Sequence, residues 1–262
     1  MGRLRSALGV VVLMIGLFVG QGGVLPVLAA NNCLSNPYCY SAARSTETEN
    51  VKRVRLTEVL PVIAYDSPAP SHANTALWLT FGAHYIEIGH CVSYQTSPAW
   101  CNVGSDNYPC FYGALYCGNI YAALDGTTLL GIVKNNYTYP GLIHTFLIEA
   151  NGTTWSLYDC PSGAACTALG SYNAGVSYVH GGAAKFGGEI LAPGGLTYTS
   201  QISQDDAGRY SVVQHPQVMW TTDSAWHDLK GGSYMVKIEV DPCFIGSWEQ
   251  PDWLVLKAPQ PC

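Results

Sequence analysis

The chain has 262 residues, with 18 acidic against 12 basic side chains and a formal charge of −6. Its largest basic group is Lys52-Arg53 with Arg55, far short of the footprint that a phosphate backbone requires, so nucleic acid is excluded as a partner. Only 11% of residues are charged, while there are 28 Gly, 17 Tyr and 7 Trp, a composition that suits an all-β protein with a hydroxyl- and amide-rich surface and not a helical bundle.

Residues 1–29 read as a secretory signal. Arg3 and Arg5 precede an apolar run from Ala7 to Phe18, and Val27-Leu28-Ala29 has the small-residue pattern of a cleavage site. The apolar run is too short and too rich in glycine for a membrane anchor. The expected product is therefore secreted, with no membrane association after cleavage. Residues 30–73 read as an N-terminal arm, in which Val51 to Ala64 could add an edge strand, and Asp66-Ser-Pro-Ala-Pro70 marks entry to the main domain, residues 74–262.

All 10 cysteines follow the signal, and an even count in a secreted chain indicates disulfides and leaves no spare thiol for catalysis. Closure around the shortest loops predicts Cys33–Cys39, Cys91–Cys117, Cys101–Cys110, Cys160–Cys166 and Cys243–Cys262. No Cys-x-x-Cys spacing suggests a zinc site, and no metal or other cofactor is expected.

From Thr75 onward short apolar stretches alternate with Gly, Pro, Asn and Asp. Thr75 to Phe81, His84 to Tyr94, Ile120 to Leu124, Leu129 to Val133, Leu196 to Ile202 and Tyr234 to Val240 all read as strands. In GLIHTFLIEANGTTWSLYDC, residues 141–160, two alternating runs meet at Asn151-Gly152, which predicts a hairpin with a type I′ turn. That register sets Ile148 against Trp155, Phe146 against Leu157 and His144 against Asp159 on the buried side. The fold expected is all-β: an antiparallel two-sheet β-sandwich of the jelly-roll or concanavalin A-like kind, stapled by disulfides.

The chemistry has several candidates. His84, Glu87 and His90 mimic a zincin motif, but on a strand the two histidines stand about 20 Å apart with Glu87 on the other face, so no metal site is expected. His144 and Asp159 could form the orienting half of a triad, yet no Gly-x-Ser-x-Gly supplies a nucleophile. Glu87 and Glu189 lie among apolar strand residues, where a carboxyl has a raised pKa unless it is paired, and two such groups in one cleft would support hydrolysis. Exposed aromatics suit sugar rings, and Trp100, Tyr108, Trp248 and Trp253 are the candidate ligand-binding residues. Asn136 and Asn151 stand in glycosylation sequons, Asn151 being already accounted for by the turn.

The strand ending His90-Cys91, the hairpin with Trp155 and Tyr158, and Gly187-Gly188-Glu189 together resemble secreted, uncharacterised proteins with a concanavalin A-like β-sandwich, across Thr75 to Val240. That resemblance implies an architecture that houses lectins, glycan hydrolases and glutamic peptidases, and so implies no single activity. The Glu-x-Asp-x-x-Glu run of one large group of those glycan hydrolases does not occur. The main functional expectation is a secreted protein that binds a carbohydrate or other cell-surface ligand without catalysis. The alternatives are a secreted hydrolase, either a glycosidase or a glutamic-type acid peptidase using Glu87 and Glu189, and a structural coat protein.

Overall fold

A computed structural model gives the architecture, and it describes residues 38–60, 62–64, 72–94, 116–126, 128–134, 142–191, 201–203, 212–229, 235–240, 245–250 and 253–257. The strands, in chain order, are β1 Tyr38–Ser45, β2 Asn50–Val59, β3 Val62–Ala64, β4 His72–Phe81, β5 His84–Tyr94, β6 Tyr116–Leu124, β7 Thr128–Lys134, β8 Ile143–Asn151 and β9 Thr154–Pro161. They continue with β10 Thr167–Asn173, β11 Val179–His180, β12 Ala184–Leu191, β13 Gln201–Ser203, β14 Val212–Trp220, β15 His227–Asp228, β16 Met235–Val240, β17 Ile245–Gln250 and β18 Trp253–Lys257. Among the described residues the one helical element is a 3-10 turn, Gly181–Ala183.

One sheet of seven strands runs β16-β1-β12-β4-β5-β6-β7, and a second of nine follows β10-β9-β8-β2-β14-β18-β17, with β11 on β2 and β15 on β14. All pairings are antiparallel, and β3 pairs separately with β13. This is the expected two-sheet sandwich. Its core lies between the sheets, with Leu77, Leu79, Ile86, Ile88, Ile120 and Phe186 from one meeting Val54, Leu56, Phe146, Ile148, Trp155 and Leu157 from the other. Period-two alternation produces this: Val54 and Leu56 of β2 and Phe146 and Ile148 of β8 turn inward, with Glu58 and His144 at the next inward positions.

Two glycines let one edge of the sandwich close. A Cβ on Gly131 of β7 would sit 1.4 Å from the Leu169 carbonyl oxygen, and one on Gly170 of β10 would sit 2.8 Å from the Leu130 carbonyl oxygen, so only bare backbone permits the approach of these strands.

Three expectations need correction. Residues 30–73 do not hang beside the sandwich with an edge strand at most: β2 lies between β8 and β14 at the heart of the nine-stranded sheet. The hairpin turn is centred on Gly152-Thr153, not Asn151-Gly152, because Asn151 still pairs with Thr154. Gly152 has φ +61° and Thr153 a negative φ, the sign pattern of a type II′ turn with Gly first. The register therefore slides by two: Ile148 opposes Leu157, Phe146 opposes Asp159, and His144 opposes Pro161. A slide of two preserves faces, and Phe146, Ile148, Trp155 and Leu157 are all buried as expected.

The Cys160–Cys166 disulfide forms as its spacing predicts. Cys91 and Cys117 lie on neighbouring strands, with Cys91 opposite Asn119 and Cys117 opposite Ser93, and the bond between them is outside what is described. Cys33, the expected partner of Cys39 in β1, lies outside the described residues, as do Cys101–Cys110, Cys243–Cys262, the signal segment and Asn136.

Candidate active site

The outer face of the seven-stranded sheet, the one turned away from the sandwich core, collects both acidic residues singled out in the sequence. On β5, Glu87 pairs in register with Trp78 of β4, and on β12, Glu189 pairs with Asn74 of the same strand. Asn74, Ala76 and Trp78 share a face by alternation, so their partners Glu189, Gly187, Gly89 and Glu87 share it also. Tyr121 of β6 joins them as the partner of Gly89. The rung between the two acids is thus Gly187, Ala76, Gly89 and Tyr121: almost no side-chain bulk, ending in a phenol.

Every polar member is buried, Glu87 at 3%, Glu189 at 7%, Asn74 at 1% and Tyr121 at 0% exposure. The Trp78 indole N–H donates to Glu87 Oε2 at 2.6 Å. Asn74 Nδ2 donates to the Tyr121 hydroxyl oxygen at 3.2 Å and to Glu189 Oε2 at 3.4 Å, while Asn74 Oδ1 has no partner among the described residues. Burial, reinforced by the negative charge of Glu189 and only partly opposed by the Trp78 bond, pushes the Glu87 carboxyl up to about 8. Burial, with the charges of Glu87, Glu189 and Tyr85, lifts the Tyr121 phenol well above its usual range, against the Asn74 bond. At neutral and acid pH the site therefore holds a neutral carboxylic acid, a neutral phenol and a second carboxyl in electrical contact with the first.

A second polar cluster lies inside the sandwich, one residue away along the same strands. Thr75 Oγ1 donates to Glu58 Oε1 at 2.5 Å and Gln214 Nε2 to Glu58 Oε2 at 2.8 Å. His144 Nδ1 lies 2.7 Å from Asp159 Oδ1, so the pair expected from the hairpin does form, but diagonally across the slipped register. His90, opposite Thr75, completes the cluster and is held down to about 3 by burial and the charge of His144. Glu58 is pushed up to about 7 by burial, against its bonds to Thr75 and Gln214 and the charge of His144. Among the described residues no serine or cysteine enters this group, so the nucleophile of a triad is not seen there.

The zincin-like trio is dispersed: His84 is exposed and pairs with Asp125, Glu87 is on the outer face and His90 in the core. No group of residues with metal-ligand character occurs among the described residues. Trp248 and Trp253 belong to β17 and β18, with side chains outside the description, and Trp100 and Tyr108 lie wholly outside it. Sequence reading missed Asn74, Trp78 and Tyr121. They are joined to the acids only by the order β12-β4-β5-β6, which no local pattern encodes.

No protein-family model and no curated protein sequence matches this chain. Solved structures do. Scytalido-glutamic peptidase with a transition-state analogue inhibitor is 10% identical with a TM-score of 0.49, covering 84% of this chain and 98% of that one. SCP-B, a member of the Eqolisin family of peptidases in complex with the tripeptide Ala-Ile-His, is 9% identical with a TM-score of 0.45, over 85% and 98%. At these identities residue roles do not transfer.

The expectation of carbohydrate binding without catalysis is corrected. The similar solved structures are of peptidases. On this face Trp78 and Tyr121 are buried, and the side chains of Trp100, Tyr108, Trp248 and Trp253 lie outside the description. What this face presents is two buried carboxyls, Glu87 and Glu189, the first raised by the charge of the second.

Proposed function

We propose that this protein is a secreted acid hydrolase, a peptidase that uses Glu87 and Glu189 as a paired general acid and general base. The observation that carries the reading is that both carboxyls are buried on one face of one sheet and feel each other's charge. Like charges so placed do not both ionise cheaply, so one of the two carboxyls keeps its proton over a wide pH range. Glu87 is the neutral member. In this reading its acid proton and that of Tyr121 serve the oxygen that gains charge in acyl transfer, since neutral donors of this kind suit an oxyanion.

In the step proposed, a water oxygen attacks the scissile carbonyl carbon while its proton passes to Glu189. The C–N bond of the tetrahedral intermediate then breaks, the leaving nitrogen takes the proton of Glu87, and the proton on Glu189 restores the pair. The N-terminal stretch that reads as an export signal and the Cys160–Cys166 disulfide support a site of action outside the cytoplasm.

The test is cleavage of an unfolded protein substrate between pH 3 and 8. The native protein should cleave it best at acid pH, and Glu189→Gln should lower kcat at least about a hundredfold while melting as the native protein does. Wild-type rates in Glu189→Gln and Glu87→Gln would overturn the reading.

A further inference from the structure

We propose that Asn74 is a positioning residue of this site, its carboxamide fixing the Glu189 carboxylate and the Tyr121 phenol relative to each other. The inference rests on the hydrolase reading above and assigns a third strand to its machinery. Asn74 stands on β4, between the strands that carry the two acids, and directly opposite Glu189. A carboxylate only accepts hydrogen bonds, so the amide must turn its nitrogen toward Glu189, and the same nitrogen reaches the Tyr121 oxygen. One NH2 group thus spans two residues from β12 and β6, separated by 68 positions in sequence.

The orientation leaves Asn74 Oδ1 buried with no partner among the described residues. A buried orphan carbonyl costs stability that an apolar side chain of the same shape would not. Its retention points to a function for the donor end. Donation to the charged form of Glu189 favours that form, and donation to the phenol oxygen leaves the phenol hydrogen to point elsewhere. The groups that face Glu189 are Glu87 from β5, Tyr121 from β6 and Lys185 four residues back on its own strand; the backbone of Tyr40 on β1 is its register partner.

The experiment combines kinetics with direct titration. In Asn74→Ala, kcat/KM for a peptide substrate should fall about ten- to a hundredfold, chiefly in kcat, and the acid limb of the pH profile should move to higher pH, since the base has lost a donor that favoured its charged form. Asn74→Leu, which keeps the volume, should behave alike and covers the case in which alanine fails to fold. Carboxylate titration by infrared difference spectroscopy, with Glu189→Gln identifying the band, should show the same upward displacement without any need for turnover. An unmoved limb and an unmoved Glu189 band in a folded variant would overturn the proposal. If native protein cleaves peptides and Glu189→Gln does not, that result leaves the hydrolase reading standing; if native protein cleaves nothing, the titration still decides the role of Asn74.

Discussion

Glu58 and Glu87 are both wholly enclosed carboxyls on the same sandwich, both held above the usual carboxylate range, yet their surroundings differ in kind. Glu58 has a donor on each oxygen, Thr75 on one and Gln214 on the other, with His144 nearby. Glu87 has one donor, Trp78, and a second carboxyl pressing on it. The first arrangement is saturated and joins three strands of two sheets. The second is unsaturated and repulsive, which is how a fold keeps a proton available for transfer. Depth alone does not separate the two acids; the count and charge of their partners does.

The largest effect expected from breaking the inner set is that of Asp159→Ala. It strips the buried His144 of its partner, and denaturant melts should show a loss of about 3 to 5 kcal/mol. Glu58→Ala, which orphans the Thr75 and Gln214 donors, should cost about 2 to 3 kcal/mol, with kcat of the folded fraction unchanged. Should Glu58→Ala instead abolish turnover in protein that melts normally, the division of labour between the two acids would be wrong.

The comparison sharpens with pH. Glu58 and Glu87 have folded pKa values of about 7 and about 8 against an ordinary value of 4.5, so the folded state holds more protons than the unfolded one between those limits, and stability is lost as pH rises through them. His90 runs the other way. It stays neutral in the fold down to about 3 while the unfolded chain protonates near 6.5, so its contribution is lost as pH falls through that window. Together they predict a melting temperature that is highest near about pH 4 to 5 and declines toward pH 8. In Glu87→Gln the alkaline decline should be shallower, and a melting temperature that peaks at pH 8 in native protein would refute the assignment.

The smallest effect belongs to the outer face of the nine-stranded sheet. There the Thr57 and Thr145 hydroxyls bond at 2.9 Å, and Thr57→Val should cost no more than about 1 kcal/mol by thermal melting.

Alternation made the strands around Glu87 and the hairpin legible, along with both acids, because a Glu in a run such as Tyr-Ile-Glu-Ile-Gly is conspicuous. The turn lies one position beyond where the sequence places it, since Asn-Gly satisfies the type I′ pattern whether or not Asn151 remains paired. β2 was mistaken for an edge because Glu58 interrupts its apolar face, and a charge there looks solvated until Thr75 and Gln214 are seen to meet it. Their contact with Glu58 spans 17 and 156 residues, and Asn74 with Tyr121 spans 47. Pairings at that range leave no trace in a local window.

The central place of β2 also governs the order in which this chain can be made. β2 is among the first strands to emerge during synthesis, but β8 follows about 90 residues later and β14 about 160, as the contacts of Thr57 with Thr145 and of Glu58 with Gln214 record. Until then β2 has both edges unpaired and an apolar face uncovered, the condition under which nascent chains aggregate. Folding dominated by such distant pairings is slow. Maturation of this protein should therefore be post-translational, beginning only when the strand that carries Gln214 is free to close the sheet.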